Sequence, residues 1–374
     1  QKANTTHCKQ KIEYEFMKHV RALADESVYP FENVEYKSQC PNPSSTHPPL
    51  KAIGPHIIKL AHNDSIQLYP NVTEAIHPDT LSILYVMLVH NYPDFAVRII
   101  NALDEPMHNF VIHVDANADS VQEHLQQVFA HRSNVYIITE GREVISWGGF
   151  SIVNATLTAT RYAWDLGLPF HFMMDISGTT YPLKSNRFIR KSLAENPNAV
   201  FSETHATPVR PEGPMWNQFV ECDGLLHRIG RIPLPRGINM HVSSQWFAVP
   251  RHYVYWLLHS ALPREYNHYA QYIIIADENY FATMLHNSPY CEAEIKRTLV
   301  FLLFDKWEHE RNITETGKPR DNRKCLGVGE QNCGRSPTTL TMDFKNLIGS
   351  SRMLFARKFD PDNPKSMELL QYID

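Results

Sequence analysis

Four runs of strand length between residues 83 and 175 are largely apolar, and segments with helical spacing fill the intervals between them. The runs are "ILYVMLV" (Ile83–Val89), "NFVIHVD", "NVYII" and "FHFMMD" (Phe170–Asp175). A strand apolar on both faces needs cover on both faces, which a mostly parallel sheet flanked by helices supplies. The intervening "YPDFAVRIINAL", "SVQEHLQQVFAH" and "FSIVNATLTATRYAWDL" read as those helices, with Pro93 suited to a first turn. Repeated strand–helix alternation predicts βαβ units and an α/β fold. The second half is less regular, with Pro-rich loops at 207–214 and 232–236. Two more strands are expected there, "SQWFAV" (Ser244–Val249) and an isoleucine run from Ile273 that leads into Asp277-Glu278. Residues 1–80 read as an irregular stem, containing the Pro/Ser-rich "QCPNPSSTHPP", and residues 81–374 as one α/β domain.

At 374 residues and 43% hydrophobic content the chain can bury a large core. A net charge of −4 with no long basic run argues against a nucleic-acid partner. No apolar stretch approaches the ~18 residues that span a bilayer. Gln1 in place of an initiator Met makes a trimmed or mature form the expectation, with its targeting segment missing. Sequons at Asn4, Asn63, Asn71, Asn154 and Asn312, with six cysteines, favour an oxidising secretory lumen. Asn154 falls inside a predicted helix, where a glycan is less plausible. Cys325 and Cys333 flank a Gly-rich loop and suit a short bridge, but six cysteines leave the pairing open. Their spacing fits no zinc template. Isolated histidines such as His171 and His227 read as packing or surface residues.

In open α/β sheets ligands sit beyond the carboxyl ends of the strands. There the sequence places His90-Asn91, Asp115, Asp175 with Ser177-Gly178, Ser243-Ser244-Gln245, and Asp277-Glu278. Asp277 suits a helix N-cap, which leaves Glu278 in the first turn and free to react. Dinucleotide and P-loop glycine motifs, GxSxG and HExxH are all absent, which sets aside the common plans built on them.

Taken in order, "LVHNYPDFAVRIINAL", "NFVIHVDANAD", "SWGGFSIVNATL", "FMMDISGTTYPLKSN", "SSQWFAVPRHYVYWL", "ADENYFATMLHNSPYC" and "MLFARKFD" resemble the successive motifs of glycosyltransferase family 14. That family holds the core-2/I-branching N-acetylglucosaminyltransferases, the peptide O-xylosyltransferases and plant glucuronosyltransferases. The resemblance runs from about Leu81 to the end. It implies a GT-A fold, a UDP-sugar donor, inversion at the anomeric carbon, and a type II Golgi membrane protein whose lumenal part is seen here, or a secreted form of it.

The same resemblance assigns roles. Asp115 matches the aspartate that reads the uracil, and His90 lines the nucleotide pocket. Trp147 and Gly148 match a turn beside the donor, where direct contact and a core Trp stand level. Glu278 matches the general base, which takes the acceptor proton during attack from the face opposite UDP. Glu203, Gln245, Trp246 and Trp307 match acceptor or sugar positions, with core and stacking roles even for Trp307. Lys358 and Arg335 match a basic couple that neutralises the departing diphosphate. Asp175-Ile-Ser177 stands where a typical GT-A enzyme carries a metal-binding Asp-x-Asp, so no metal and no other cofactor is expected. Arg357 reads as a solvent-facing neighbour. The acceptor is a glycan or glycoprotein, and xylose, N-acetylglucosamine and glucuronic acid remain open as donor sugar. A glycan-binding protein without activity and a glycoside hydrolase are the rivals. The second needs two carboxylates across the bond, and only Glu278 is well placed.

Overall fold

The computed structural model describes residues 5–24, 75–206, 217–231, 238–303 and 337–374. Its first half follows the predicted alternation: β1 (Ile83–Val89), α2 (Pro93–Leu103), β2 (Asn109–Val114), α3 (Asp119–Val128), β3 (Val135–Ile137), α4 (Phe150–Asp165) and β4 (Phe172–Ser177). An N-terminal helix, α1 (Thr6–Ala24), precedes them. After β4 come β5 (Tyr181–Pro182), α5 (Asn186–Ala194), β6 (Val200–Ser202), β7 (His205–Ala206), and the hairpin β8 (Asn217–Cys222) and β9 (Leu225–Arg231). Then follow β10 (His241–Val242), β11 (Ala248–Pro250), α6 (Arg251–His259), α7 (Ala261–Ala270), α8 (Tyr280–His286), β12 (Glu294–Lys296) and β13 (Val300–Leu302). Helix α9 (Lys345–Gly349), strand β14 (Phe355–Arg357) and helix α10 (Pro364–Ile373) close the chain.

Seven strands form the central sheet in the order β12-β6-β11-β4-β1-β2-β3. Neighbours run parallel except β11, which opposes both β4 and β6. Alternate residues of β1 feed two cores. Ile83, Tyr85, Met87 and Val89 pack with α2 and α5, whereas Leu84 and Val86 pack with α4 and α6. This two-sided burial is why the strand reads as a continuous apolar run. In a smaller sheet, β13-β14-β5, strand β14 ends at Arg357, and Lys358 follows it. No helix among the described residues is long and apolar enough to cross a membrane.

Three expectations need correction. The isoleucine run is not a strand: Ile273 makes a single bridge to Gln218, and Ile275 is left-handed, with φ 56°. The antiparallel strand near Trp246 is only Ala248–Pro250. Nor is the N-terminus irregular throughout, because α1 lies across β8 and β9.

A Cys8–Cys222 disulfide links α1 to the hairpin across 214 residues. His227 backs it, its Nε2 3.7 Å from the Cys8 sulfur, so this histidine packs as expected. The pair Cys325 and Cys333 lies outside the described residues. Replacing Cys8 and Cys222 together by Ser is expected to lower the unfolding free energy by ~2–5 kcal/mol. Urea melts would register it as a lower midpoint, and an unchanged midpoint would mean that α1 docks without the bridge. The Asn154 side chain donates to Glu143 Oε1 at 2.6 Å, in keeping with a sequon that carries no glycan.

Candidate active site

The first strand-to-helix turn places His90 directly after β1, and Pro93 opens α2 as expected. Asp115 follows β2, with its N–H bonded to the Val89 carbonyl at 2.9 Å. Its carboxylate accepts from the Asn117 N–H (2.8 Å) and the Ile145 N–H (3.1 Å), so the acid is fixed in place. Each oxygen still has a lone pair for a ligand N–H. His90 is solvent-exposed on one side, yet its pKa is lowered. Burial against the protein is the main cause. The Asp115 carboxylate opposes that shift, and the Lys358 and Arg357 cations add to it. Asp115 and Lys358 thus both lie within electrostatic reach of His90.

Trp147 and Gly148 sit in the turn before α4. Trp147 is 67% exposed, which removes the core reading and leaves its indole face free for a ligand. Gly148 has φ 73°, a conformation that favours glycine. Its carbonyl accepts from the Ile275 N–H at 2.7 Å, joining the turn to the segment that carries Asp277 and Glu278.

That segment differs from its sequence reading. Ala276–Glu278 form a 3-10 turn, and α8 starts only at Tyr280, after Asn279. Asp277 does not cap the helix. It is buried, and its Oδ1 has no hydrogen-bond partner among the described residues. Glu278 stays partly buried at the surface of the edge, and burial raises its pKa above the ordinary glutamate value. Its backbone is pinned: the Glu278 N–H reaches the Ile275 carbonyl (3.2 Å), and its carbonyl accepts from Ser243 N–H (2.8 Å). Buried Asn279 anchors the next position, accepting from the Tyr266 hydroxyl (2.8 Å) and donating to the His241 carbonyl (2.8 Å). A carboxylate on so fixed a backbone, with its affinity for protons raised, is suited to general-base work.

Asp175 lies inside β4, which runs two residues past the expected strand end; it is 1% exposed, and neither carboxylate oxygen has a hydrogen-bond partner among the described residues. Desolvation pushes its pKa well up, the Asp277 carboxylate adds to that, and Arg357 opposes it. Asp277 is raised to about 7 by burial and by neighbouring Glu278, while nearby backbone N–H groups and Arg357 pull it down. Arg357 is lowered to about 10 by its own desolvation, against the pull of both aspartates. Its guanidinium lies 4.5 Å from the Trp246 ring centroid, in stacking range. The reading of Arg357 as a solvent-facing neighbour is therefore wrong. Its charge is the one that opposes the raised pKa values of both buried aspartates.

Trp246 itself is 4% exposed and part of the core. It meets the site through Arg357 and offers no free face to a sugar, so its assignment as an acceptor contact is corrected. Gln245 lies partly buried just before β11, at the carboxyl edge, two residues from the Ser243 contact with Glu278. Glu203 follows β6 at the same edge, farther along the sheet, and shares no hydrogen bond with the other candidates among the described residues. Trp307 and Arg335 lie outside the described residues. The signal for Arg357 was available in "MLFARKF": an arginine closing an apolar strand needs a partner, and Asp175 was already on the same edge.

Comparison with known proteins agrees with this architecture. A core-2/I-branching enzyme family model matches residues 83–329. Xylosyltransferase 2 of Rattus norvegicus is 28% identical over 302 residues, covering 78% of this chain and 33% of that protein. Xylosyltransferase 1 of Homo sapiens is 25% identical over 371 residues, covering 96% of this chain and 35% of its own length. The chain thus spans about a third of the length of these relatives. The family match begins on the first strand of the parallel sheet and takes in well over half of the chain, so the protein belongs to the core-2/I-branching enzyme family and has a GT-A-like fold.

Proposed function

We propose that the protein is an inverting glycosyltransferase that moves a sugar from a UDP donor to a hydroxyl of a glycan or glycoprotein, forming a β-linkage. Xylose stands first as the sugar, because the similar proteins are named xylosyltransferases. N-acetylglucosamine follows on family grounds, and glucuronic acid is the alternative. The observation that carries the reading is the placement of Glu278, partly buried and pinned at both backbone groups, on the edge that also holds His90, Asp115, Arg357 and Lys358.

In this scheme Asp115 accepts from the uracil N–H, and Trp147 covers the nucleotide. The acceptor oxygen attacks the anomeric carbon while Glu278 takes its proton. The bond between that carbon and the phosphate oxygen breaks, and UDP departs with the electron pair. Lys358 and Arg357, with Arg335 as a third candidate, offset the charge that develops on the phosphate. No metal is assigned a role. The disulfide and the sequons support a Golgi-lumenal or secreted setting.

The test is UDP release from UDP-xylose, UDP-GlcNAc and UDP-GlcA, each with and without EDTA. Release from UDP-xylose that survives chelation is the expected result. Release from none of the three would favour a glycan-binding protein, and strict EDTA sensitivity would overturn the metal-free scheme.

A further inference from the structure

Glu221 on β8 takes no part in the chemistry above, yet it is bonded to the turn beside the donor pocket. Its Oε1 accepts from the Ser146 N–H at 3.2 Å, and its Oε2 accepts from the Ser151 N–H at 3.1 Å. The carboxylate therefore bridges the turn that holds Trp147 and Gly148. It lies so close that a Cβ on Gly149 would come within 2.5 Å of it, tighter than any real contact.

From that turn the linkage continues inward. The Gly148 carbonyl holds the Ile275 N–H at 2.7 Å, and the Ile275 carbonyl holds the Glu278 N–H at 3.2 Å. Ile275 is a β-branched residue at φ 56°, a strained conformation that persists only where surrounding contacts impose it. Outward, the Glu221 carbonyl accepts from Lys11 of α1 at 2.9 Å, and the next residue, Cys222, is bridged to Cys8. A continuous path thus runs from α1 through Glu221 and Gly148 to the left-handed residue that aims Glu278.

We infer that Glu221 is a positioning residue for the transfer reaction, holding the Trp147–Gly149 turn so that the turn in turn fixes the Ile275–Glu278 segment. This rests on the glycosyltransferase reading for its kinetic consequence, though not for its structural one.

Two variants test it from opposite sides. Glu221→Gln keeps the shape but sets an amide NH2 against one of the two N–H donors. Gly149→Ala introduces the Cβ that displaces the carboxylate, at a position whose φ of −86° accepts alanine. In both, amide hydrogen exchange at residues 273–279 is expected to quicken at least tenfold, and kcat to fall tenfold or more. The acid limb of the pH–rate profile should also move to lower pH, because a released Glu278 loses part of the burial that raises its pKa. A general loss of stability would not move that limb. Unchanged exchange at 273–279 in both variants overturns the inference. So does a kcat loss with the acid limb unmoved. Exchange needs no turnover, so a wild-type protein without transfer activity would sink the glycosyltransferase reading while this linkage stood or fell on its own.

Discussion

Glu278→Gln is expected to lower sugar transfer by about 10²–10⁴-fold, the usual contribution of a positioned base, while leaving UDP affinity intact. The amide matches the carboxylate in shape, and the backbone bonds to Ile275 and Ser243 do not involve the side chain. Loss of rate would therefore report loss of proton acceptance alone. The pH dependence gives an independent check. A base works only when ionised, so kcat/KM should fall as pH drops through the raised Glu278 pKa. That fall should begin at higher pH than an ordinary glutamate would give, because burial favours the protonated form. The Gln variant should lack the limb. Full activity in Glu278→Gln would remove the base assignment.

Arg357→Met should be the most damaging substitution for stability. Methionine keeps much of the aliphatic volume against Trp246 but leaves Asp175 and Asp277 without the cation that faces them. Removing one partner from a buried charge group costs ~3–5 kcal/mol, measurable in urea melts at pH 8. The pH dependence has a definite sign. Asp277 holds its proton more tightly folded than unfolded, so its contribution is fully present below the unfolded value of about 4. It declines as pH rises towards the folded value of about 7. Without Arg357 the folded value rises further, and the decline should reach to higher pH and deepen. Arg357→Lys keeps the charge but loses the planar stack on Trp246, so it should recover only part of the stability. An Arg357→Met protein as stable as wild type at pH 8 would show that the aspartates do not depend on this cation.

Much of the fold was legible because it rests on local pattern. Strand β1 spans the predicted Ile83–Val89, and Pro93 begins α2 where the sequence placed it. Both follow from two-sided burial and fixed proline geometry, which are written into a few neighbouring residues. The isoleucine run misled for the opposite reason. Three β-branched residues favour a strand, but the Gly148 carbonyl, over a hundred positions away, holds Ile275 in a left-handed turn. Long-range contacts of this kind leave no local trace.

The site divides the same way. His90, Asp115 and Glu278 could be located as polar residues that end elements, and the structure brings them to one edge. Arg357 was misread because its role depends on Asp175 and Asp277, which arrive from two distant elements. Trp246 was misread because a tryptophan near a sugar site suggests stacking, whereas here the arginine takes that face. Helix α1 was missed because its docking surface, β8 and β9, lies about two hundred residues downstream and is secured by a disulfide whose pairing the sequence leaves open.

In the proposed reaction, side-chain cations at the carboxyl edge, Lys358 and Arg357 among them, hold a nucleotide diphosphate in front of Glu278. Calorimetric titration of the protein with UDP in excess EDTA tests this most directly. Saturable one-to-one binding is expected, weakened strongly by Lys358→Ala and not improved by added manganese. Binding seen only when manganese is supplied, and indifferent to Lys358, would contradict it.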